Sequence, residues 1–192
     1  MNPEISRCSW CLSDPLYIKY HDEEWGVPVH DDQKLFEFLI LEGAQAGLSW
    51  LTILKRREGY RQAFCNFDVQ QVAQMTEKDI QCLMQDTKII RNQAKIRAAI
   101  GNAKAFIQIQ KEFGSFDAYS WRFVNEKPIV NHPEKHADIP VTTKESDIFS
   151  QDLKKRGFKF VGSTIMHAHM QAVGMVNDHW VSCAYKTKSQ FI

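Results

Sequence analysis

The sequence predicts an all-α protein. Apolar residues recur every three or four positions through most of the chain, residues that commonly cap helices precede several of these runs, and few strand-like alternations occur. The 192 residues, 44% hydrophobic and 24% charged, are enough for a globular protein to bury a core of its own. We therefore expect one domain that spans residues 1–192.

The first strong helical patterns lie between residues 31 and 64. Asp31 and Asp32 can cap a segment whose apolar side chains follow a helical period. Glycines interrupt that segment at positions 43 and 47. Ser49 can then cap a second helical segment, which we expect to continue toward Phe64.

A short helix, a turn and a basic helix are predicted over residues 76–104. Thr76 and Asp79 have the spacing of a capping box, with Asp in place of the usual Glu or Gln. The pattern breaks at residues 86–88, and apolar residues at helical spacing resume at Ile89. This order of elements is typical of a helix-hairpin-helix.

The remainder of the chain contains one irregular connection and two further helices. Pro128, Pro133 and Pro140 predict a non-helical segment in which some β-branched residues are extended. Helical spacing resumes at residues 144–155, stops near Gly157, and continues from Ser163 toward residue 173.

Charge is sorted along the chain, although the net charge is only +1. Residues 87–111 contain six basic side chains and no acidic one, and a second basic cluster lies at residues 154–159. Such sorting is consistent with a basic face for a polyanion, while two solvated helix faces are the alternative. Lys88, Arg91 and Lys95 lie just beyond the predicted turn, where free backbone N–H groups at a helix start can bind phosphate. We predict that these three residues contact DNA.

Potential metal ligands occur at both ends of the chain. Cys8, His21, His179 and Cys183 form a Cys2His2 set, the ligand chemistry of a closed structural zinc site. His179 and Cys183 are four residues apart, so a helical turn would bring them onto one face. A Cys8–Cys11 pair is the competing arrangement. A disulfide framework is not expected, because the cysteine count is odd and the chain is large.

The second constellation consists of aromatic rings and one carboxylate. Glu42 directly follows the apolar run 38–41, and a buried carboxylate is costly unless it is paired or functional. Surrounded by rings, it would suit a flat, cationic or hydrogen-bond-donating ligand. The alternative is a helix-end salt bridge with the rings in the core. The candidate rings are those of Trp10, Tyr17, Tyr20, Trp25 and Trp50.

Several ordered motifs resemble the 3-methyladenine DNA glycosylase I family. They are SDPLYIKYHDEEWGVP at residues 13–28, LEGAQAGLSW at 41–50, IIRN at 89–92, KRGFKFVG at 155–162 and VNDH at 176–179. The similarity runs from about Arg7 to Cys183. It implies the all-helical fold of the helix-hairpin-helix glycosylase superfamily, with one structural zinc ion joining the N- and C-terminal segments.

The resemblance also implies roles for particular residues. The zinc ligands would be Cys8, His21, His179 and Cys183, which leaves Cys11 outside the site. The base pocket would contain Glu42, which we nominate as the catalytic residue, with Tyr20 and Trp50 against the base and Trp10, Tyr17 and Trp25 nearby. Gly47 and Leu48 match the loop that approaches the gap left by an extruded nucleotide. The segment His167-Ala168-His169 departs from the family pattern, which has an aromatic residue and a small hydroxyl there.

The implied function is excision of 3-methyladenine from alkylated double-stranded DNA, with 3-methylguanine as a further candidate substrate. A non-catalytic, zinc-stabilised DNA-binding module is the alternative, and a zinc deaminase and a protein-interaction domain rank lower. The histidines lack the spacing of a zinc deaminase. We also expect a cytoplasmic monomer without a membrane segment, because no apolar run approaches 18 residues.

Overall fold

Helices dominate the computed structural model of the protein, which describes residues 5–187. The α-helices are α1 (Pro15–Glu23), α2 (Asp32–Gln45), α3 (Trp50–Leu54), α4 (Arg57–Ala63), α5 (Val69–Ala73), α6 (Glu77–Leu83), α7 (Gln93–Phe113), α8 (Phe116–Trp121), α9 (Lys144–Lys155) and α10 (Ser163–Ala172). Short 3-10 turns occur at Ser9–Cys11, Cys65–Phe67, Arg122–Val124 and His136–Asp138. The predicted helical fold class is confirmed.

The helix starts follow the predicted capping residues. Asp31 accepts a hydrogen bond from the backbone N–H of Lys34 at 2.8 Å, and Ser49 caps α3. Thr76 and Asp79 form the predicted capping box of α6. Asp32, in contrast, accepts hydrogen bonds from the first backbone N–H groups of α8 and so joins α8 to the start of α2.

The helix predicted to run from Ser49 toward Phe64 is interrupted. Helix α3 ends at Leu54, and α4 begins at Arg57. The change of direction turns the Arg57 guanidinium inward, where it donates to Glu24 and Glu37 over distances of 2.8 Å. The spacing of apolar residues carries no sign of these ion pairs, which fix the direction of the new helix.

Helix α2 forms the centre of the core. Every residue from Leu35 to Ala44 is buried, so the helix is enclosed on all sides rather than on one stripe. Helices α3, α7, α8 and α10 contact it. Glu37 and Glu42 are therefore carboxylates within a buried helix, and each requires an explanation.

The short helix, turn and basic helix predicted over residues 76–104 correspond to α6, the turn that follows it, and α7. The turn packs so closely on α4 that a Cβ at Gly59 would lie 2.6 Å from the Lys88 backbone oxygen. Arg56 donates to the Thr87 carbonyl at 2.7 Å, and the Tyr60 hydroxyl accepts from the Ile90 N–H at 3.3 Å. These contacts hold the turn against the body of the protein.

The N-terminal and C-terminal segments are joined by backbone hydrogen bonds. After α1, the N–H groups of Gly26 and Val29 donate to carbonyls of Gln171 and Val173, at 3.0 and 3.1 Å. Further along, strand β1 (Ile129–Val130) pairs in parallel with strand β2 (Val176–Asn177), with Ile129 opposite Val176. The end of α10 is thus held between two distant parts of the chain. This small sheet agrees with the extended residues predicted in the proline-containing segment.

No helix between residues 5 and 187 combines the length and apolar character that crossing a bilayer requires.

We expect Gly174→Ala to destabilise the protein by about 3 kcal/mol or more. Gly174 has a φ of 73°, and a Cβ there would meet backbone atoms of Val27 and Pro28 at 2.4 Å. Gly157→Ala is the matched control, because its φ is 92° but its Cβ would meet nothing within 4 Å. It should cost about 1 kcal/mol. Urea unfolding measures both values, and equal losses would contradict the close-contact explanation.

Candidate active site and metal cluster

A pocket of about 310 Å³ opens where α1, α2, α3 and α10 meet. It contains all six residues that the sequence predicted for a ligand pocket, namely Trp10, Tyr17, Tyr20, Trp25, Glu42 and Trp50. Its size is at the lower end of the range typical of small-molecule pockets. The remaining wall is formed by Gln45, His136, Ile139, Pro140, Val141, Thr164, His167, Ala168 and Gln171.

The aromatic wall is a set of tilted and edge-to-face rings. The Trp10 ring centroid lies 4.8 Å from that of Tyr17 and 4.9 Å from that of Trp25. Tyr20 and Trp50 form a second pair with centroids 5.5 Å apart. Tyr17 and Tyr20 share one face of α1 because they are three residues apart on a helix. The rings therefore offer electron-rich faces to a flat ligand.

Glu42 is the unpaired carboxylate of this pocket. Its exposed fraction is 3%, and within residues 5–187 its side chain has no hydrogen-bond donor or ion-pair partner. Burial raises the pKa of its carboxyl to about 8. Glu37, five residues earlier on the same helix, shows the contrast. Burial opposes its ionisation, but hydrogen bonds from Arg57 outweigh that effect and lower its pKa.

The tyrosines beside Glu42 stay neutral. Burial raises the pKa of Tyr17 to about 12, and the nearby Glu42 carboxylate adds to the effect. The pKa of Tyr20 is raised for the same two reasons, in the same order. A neutral phenol donates hydrogen bonds, whereas Glu42 gains a charge as soon as a cation approaches. The pocket thus has the chemistry to stabilise a planar cation.

The opposite wall is formed by α10 and the 136–141 segment, which were not among the predicted pocket residues. His167 lies in this wall and is buried, with its Nε2 3.6 Å from an Asp178 oxygen. His169 instead points into the core beside Phe149, and burial lowers its pKa to about 3. The sequence did carry one signal for α10, because residues 167–169 depart from the family pattern. Two of these three residues, His167 and Ala168, line the pocket. Nothing in the sequence pattern indicated residues 136–141.

The predicted DNA-binding residues occupy two neighbouring places. Gly47 and Leu48 form the turn between Gln45 and Trp50, which both line the pocket, and Leu48 is 40% exposed. Lys88 and Arg91 are exposed on the hairpin turn. Lys95 is half-buried, and its ammonium donates to backbone carbonyls of α2 rather than extending into solvent. The DNA contacts of all five residues stay predictions.

A cluster of potential metal ligands lies behind the aromatic wall. One ligand atom each from Cys8, His21 and Cys183 lies within 4.8 Å of the others, and all three residues are buried. The Cys183 Sγ is 3.6 Å from the His21 Nε2. A hydrogen bond from the Cys8 thiol lowers the pKa of Cys183, which favours the thiolate form that binds metal. Cys11 lies outside the cluster and donates to the Cys8 carbonyl.

His179, the fourth predicted ligand, is adjacent to this cluster. Its ring centroid is 4.9 Å from that of His21. Its Nδ1 lies 3.0 Å from the Asn177 side-chain oxygen, whereas its Nε2 is buried and has no partner among the described residues. His21 likewise contacts Asp22 through Nδ1, at 2.8 Å. In both histidines Nδ1 is held by an oxygen, as is common in metal-binding imidazoles. The ligand atoms that lie within 4.8 Å of one another nevertheless come from Cys8, His21 and Cys183, so the structure brings together three of the four predicted ligands.

The segment from His179 to Cys183 does not form the helical turn that would bring both side chains onto one face. A helix would join the Cys183 N–H to the His179 carbonyl, but that N–H donates to Trp180 at 2.9 Å. The His179 carbonyl accepts from the Lys186 ammonium at 3.0 Å. The Trp180 N–H donates to the Cys8 Sγ at 3.4 Å. Contacts with the N-terminal segment and Lys186 therefore replace helical hydrogen bonds.

Comparison with known proteins agrees with the resemblance seen in the sequence. A family model described as methyladenine glycosylase matches residues 10–187. The chain is 53% identical over 179 residues to DNA-3-methyladenine glycosylase 1 of Escherichia coli (strain K12), with 93% of this chain and 96% of that relative covered.

Two solved structures have the same fold as this chain. A crystal structure of 3-methyladenine DNA glycosylase I has a TM-score of 0.91 and 50% identity, with coverage of 93% of this chain and 98% of that one. A variant of such an enzyme in complex with 3-methyladenine also has a TM-score of 0.91, at 38% identity, with coverage of 94% and 97%. The family match, the close relative and the shared fold agree: the chain belongs to the methyladenine glycosylase family.

Proposed function

We propose that this protein hydrolyses the N-glycosidic bond of 3-methyladenine in alkylated double-stranded DNA, which starts base excision repair. The observation that carries the proposal is an unpaired, buried Glu42 inside an aromatic pocket of about 310 Å³. Relatives named DNA-3-methyladenine glycosylase support it. The substrate must leave the base stack to reach the pocket, at a cost of a few kcal/mol.

The charge of the lesion explains how the pocket would select it. Methylation at N3 makes adenine cationic, and burial has left Glu42 without a countercharge. A cation beside that carboxyl lowers its pKa, so the proton leaves and an ion pair forms. The rings of Trp50 and Tyr20 would contact the faces of the base through cation–π attraction. Normal adenine is neutral, so it would form neither the ion pair with Glu42 nor the cation–π contacts.

The same charge lowers the demand on catalysis. A base that is already cationic leaves as a neutral molecule and needs little protonation. The sugar then develops oxocarbenium character and is attacked by water. Glu42 would act by accepting hydrogen bonds from the base edge as the glycosidic bond breaks. The rings would exclude bulk water and keep the base fixed.

The DNA would lie across the hairpin and the turn at Gly47 and Leu48. Lys88 and Arg91 can neutralise phosphates beside the free N–H groups at the start of α7. Leu48 is exposed next to the pocket entrance, where it can fill the gap left by the extruded nucleotide. We extend the proposal to 3-methylguanine as a second substrate, because its base is also cationic.

We also propose that one structural zinc ion is held by Cys8, His21, His179 and Cys183. The unpartnered His179 Nε2 and the lowered pKa of the Cys183 thiol fit this donor set. With four protein ligands, the ion would supply a crosslink between the N- and C-terminal segments and no open position for water. Trp10 and Trp25 contact the ring of His21, so the crosslink would stiffen part of the pocket wall.

Glu42→Gln should lower the single-turnover rate of 3-methyladenine release by about 10- to 100-fold, because a charge-assisted interaction is lost. The measurement is chromatographic separation of free bases released from methylated duplex DNA. The same substitution at exposed Glu58 is the control and should change the rate less than twofold. A wild-type protein that binds DNA in a salt-dependent way but releases no base would instead be a non-catalytic DNA-binding module.

Glu42→Gln should also stabilise the ligand-free protein, and by more as pH rises from 5 to 8. The carboxyl ionises near its ordinary pKa of 4.5 when unfolded but near 8 when folded, so unfolding releases a proton between these values. Native stability therefore falls as pH rises through this window, and the neutral amide does not show this fall. We expect a gain on the order of 1–3 kcal/mol at pH 7.5. Denaturation at a series of pH values measures it, and a pH-independent difference between the two proteins would contradict the burial of an unpaired carboxyl.

Cys183→Ser should remove the bound zinc and lower the melting temperature by 10 °C or more, since the crosslink between the chain ends is lost. Metal content by mass spectrometry and thermal unfolding give the two readouts. Cys11→Ser is the matched control, because Cys11 is also buried but lies outside the cluster. It should keep one zinc per chain. Loss of metal from the Cys11 variant would favour the Cys8–Cys11 arrangement.

A further inference from the structure

The ammonium of Lys95 joins the hairpin to the end of the central helix. It donates to the carbonyl oxygens of Ala44 at 2.8 Å and Ala46 at 2.7 Å. These carbonyls lie at the C-terminus of α2, where helical hydrogen bonding ends and a positive charge is favoured by the helix dipole. Lys95 itself is in the first turn of α7, and its own N–H is capped by Asn92. One side chain thus connects the start of α7 with the C-terminus of α2.

The turn below this ammonium carries the residues nearest the pocket entrance. Gly47 adopts a φ of +80°, which reverses the chain and presents Leu48 to solvent. Trp50 follows as the first residue of α3, and Glu42 lies two residues before Ala44 on α2. A shift of the turn would therefore move Leu48 and Trp50 relative to Glu42.

The hairpin is firmly held on its other side. Arg56 donates to the Thr87 carbonyl, and Tyr60 accepts from Ile90, so α4 and the hairpin turn move together. Lys95 adds the connection from the hairpin to α2. Two of the three ammonium N–H groups are already used, and a move toward a phosphate would leave both helix-end carbonyls without this donor. Lys88 and Arg91 are exposed, and the Lys88 ammonium makes one hydrogen bond, to the Gln62 side-chain oxygen at 2.9 Å. Both are therefore better placed than Lys95 to contact phosphate.

We propose that Lys95 is a positioning residue: it sets the position of the turn that carries Leu48 and Trp50 relative to the DNA-bound hairpin. This inference rests on the proposed glycosylase function. It assigns Lys95 an effect on the rate of base release from bound DNA, rather than on the strength of DNA binding. It replaces the phosphate contact that the basic run alone predicted for this residue.

Lys95→Met keeps most of the aliphatic chain and removes the donors. We expect the single-turnover release rate at saturating methylated DNA to fall at least tenfold. The Kd for undamaged duplex DNA should stay within twofold of the wild-type value. The slope of log K against log salt concentration should stay within about 0.3 of the wild-type slope. A lost phosphate contact would instead lower that slope by about 0.9. Lys104→Met, an exposed position on the same helix, is the matched control for removing a lysine from α7.

Two further measurements separate positioning from a general loss of structure. Lys95→Arg keeps a cation with several donors and should restore the rate to within about threefold of wild type. Leu48→Ala removes the side chain through which the turn acts, so Lys95→Met should cost much less in that background. A tenfold loss in both backgrounds, or a slope reduced by about 0.9 with normal rates at saturation, would overturn the proposal. If the methionine variant does not fold, Lys95→Gln takes its place in every comparison.

Amide hydrogen exchange gives a readout independent of activity. Exchange at residues 46–50 should rise at least tenfold in Lys95→Met and not in Lys104→Met. Unchanged exchange there overturns the role of Lys95, even if the enzyme is active. A wild-type protein that releases no base would overturn the proposed function, whatever the exchange shows.

Discussion

The cost of burying one unpaired carboxylate underlies the arrangement of the site. Helix α2 is enclosed along most of its length, and Glu42, which lines the pocket, is only 3% exposed to solvent. The protein holds the carboxyl there because the surrounding helices and the joined chain ends are stable enough to offset the cost. Glu37 on the same helix shows that the fold can pair a buried glutamate when pairing serves structure. The absence of a partner at Glu42, in the part of the chain that the structure describes, is thus the feature on which the proposed preference for a cation rests.

The two buried glutamates of α2 also have different surroundings at the two ends of the helix. Glu37 receives Arg57 and Arg61, and through Arg57 it is joined to Glu24 after α1. This network fixes the direction of α4, and α4 in turn holds the hairpin turn. Glu42 faces the pocket at the other end of the helix. One buried helix therefore connects the hairpin turn with the pocket.

Local patterns in the sequence predicted much of this architecture. The caps at Asp31, Ser49 and Thr76 depend on nearby residues, so they can be recognised without tertiary structure. The pocket residues were predicted from a glutamate that directly follows an apolar run, from clustered aromatic rings and from family motifs. Contacts between distant segments decided the rest. Arg57, at the start of α4, pairs with Glu37 of α2. The His179 carbonyl accepts a hydrogen bond from Lys186. Lys95 donates to the carbonyls of Ala44 and Ala46, which are 51 and 49 residues away in the sequence. Periodicity carries no information on such contacts.

The backbone pairing of the chain ends has a consequence for biosynthesis. The Ala184 N–H donates to the Ser6 carbonyl at 3.0 Å, and the Gly26 N–H donates to Gln171. The segment that carries Trp10, Tyr17 and Trp25 is synthesised before these partners, which lie 178 and 145 residues later in the chain. Helix α10, which packs on α2 and forms the opposite wall of the pocket, also comes late in the sequence. A nascent chain that has not yet reached α10 therefore has neither the full cover of the central helix nor a complete pocket.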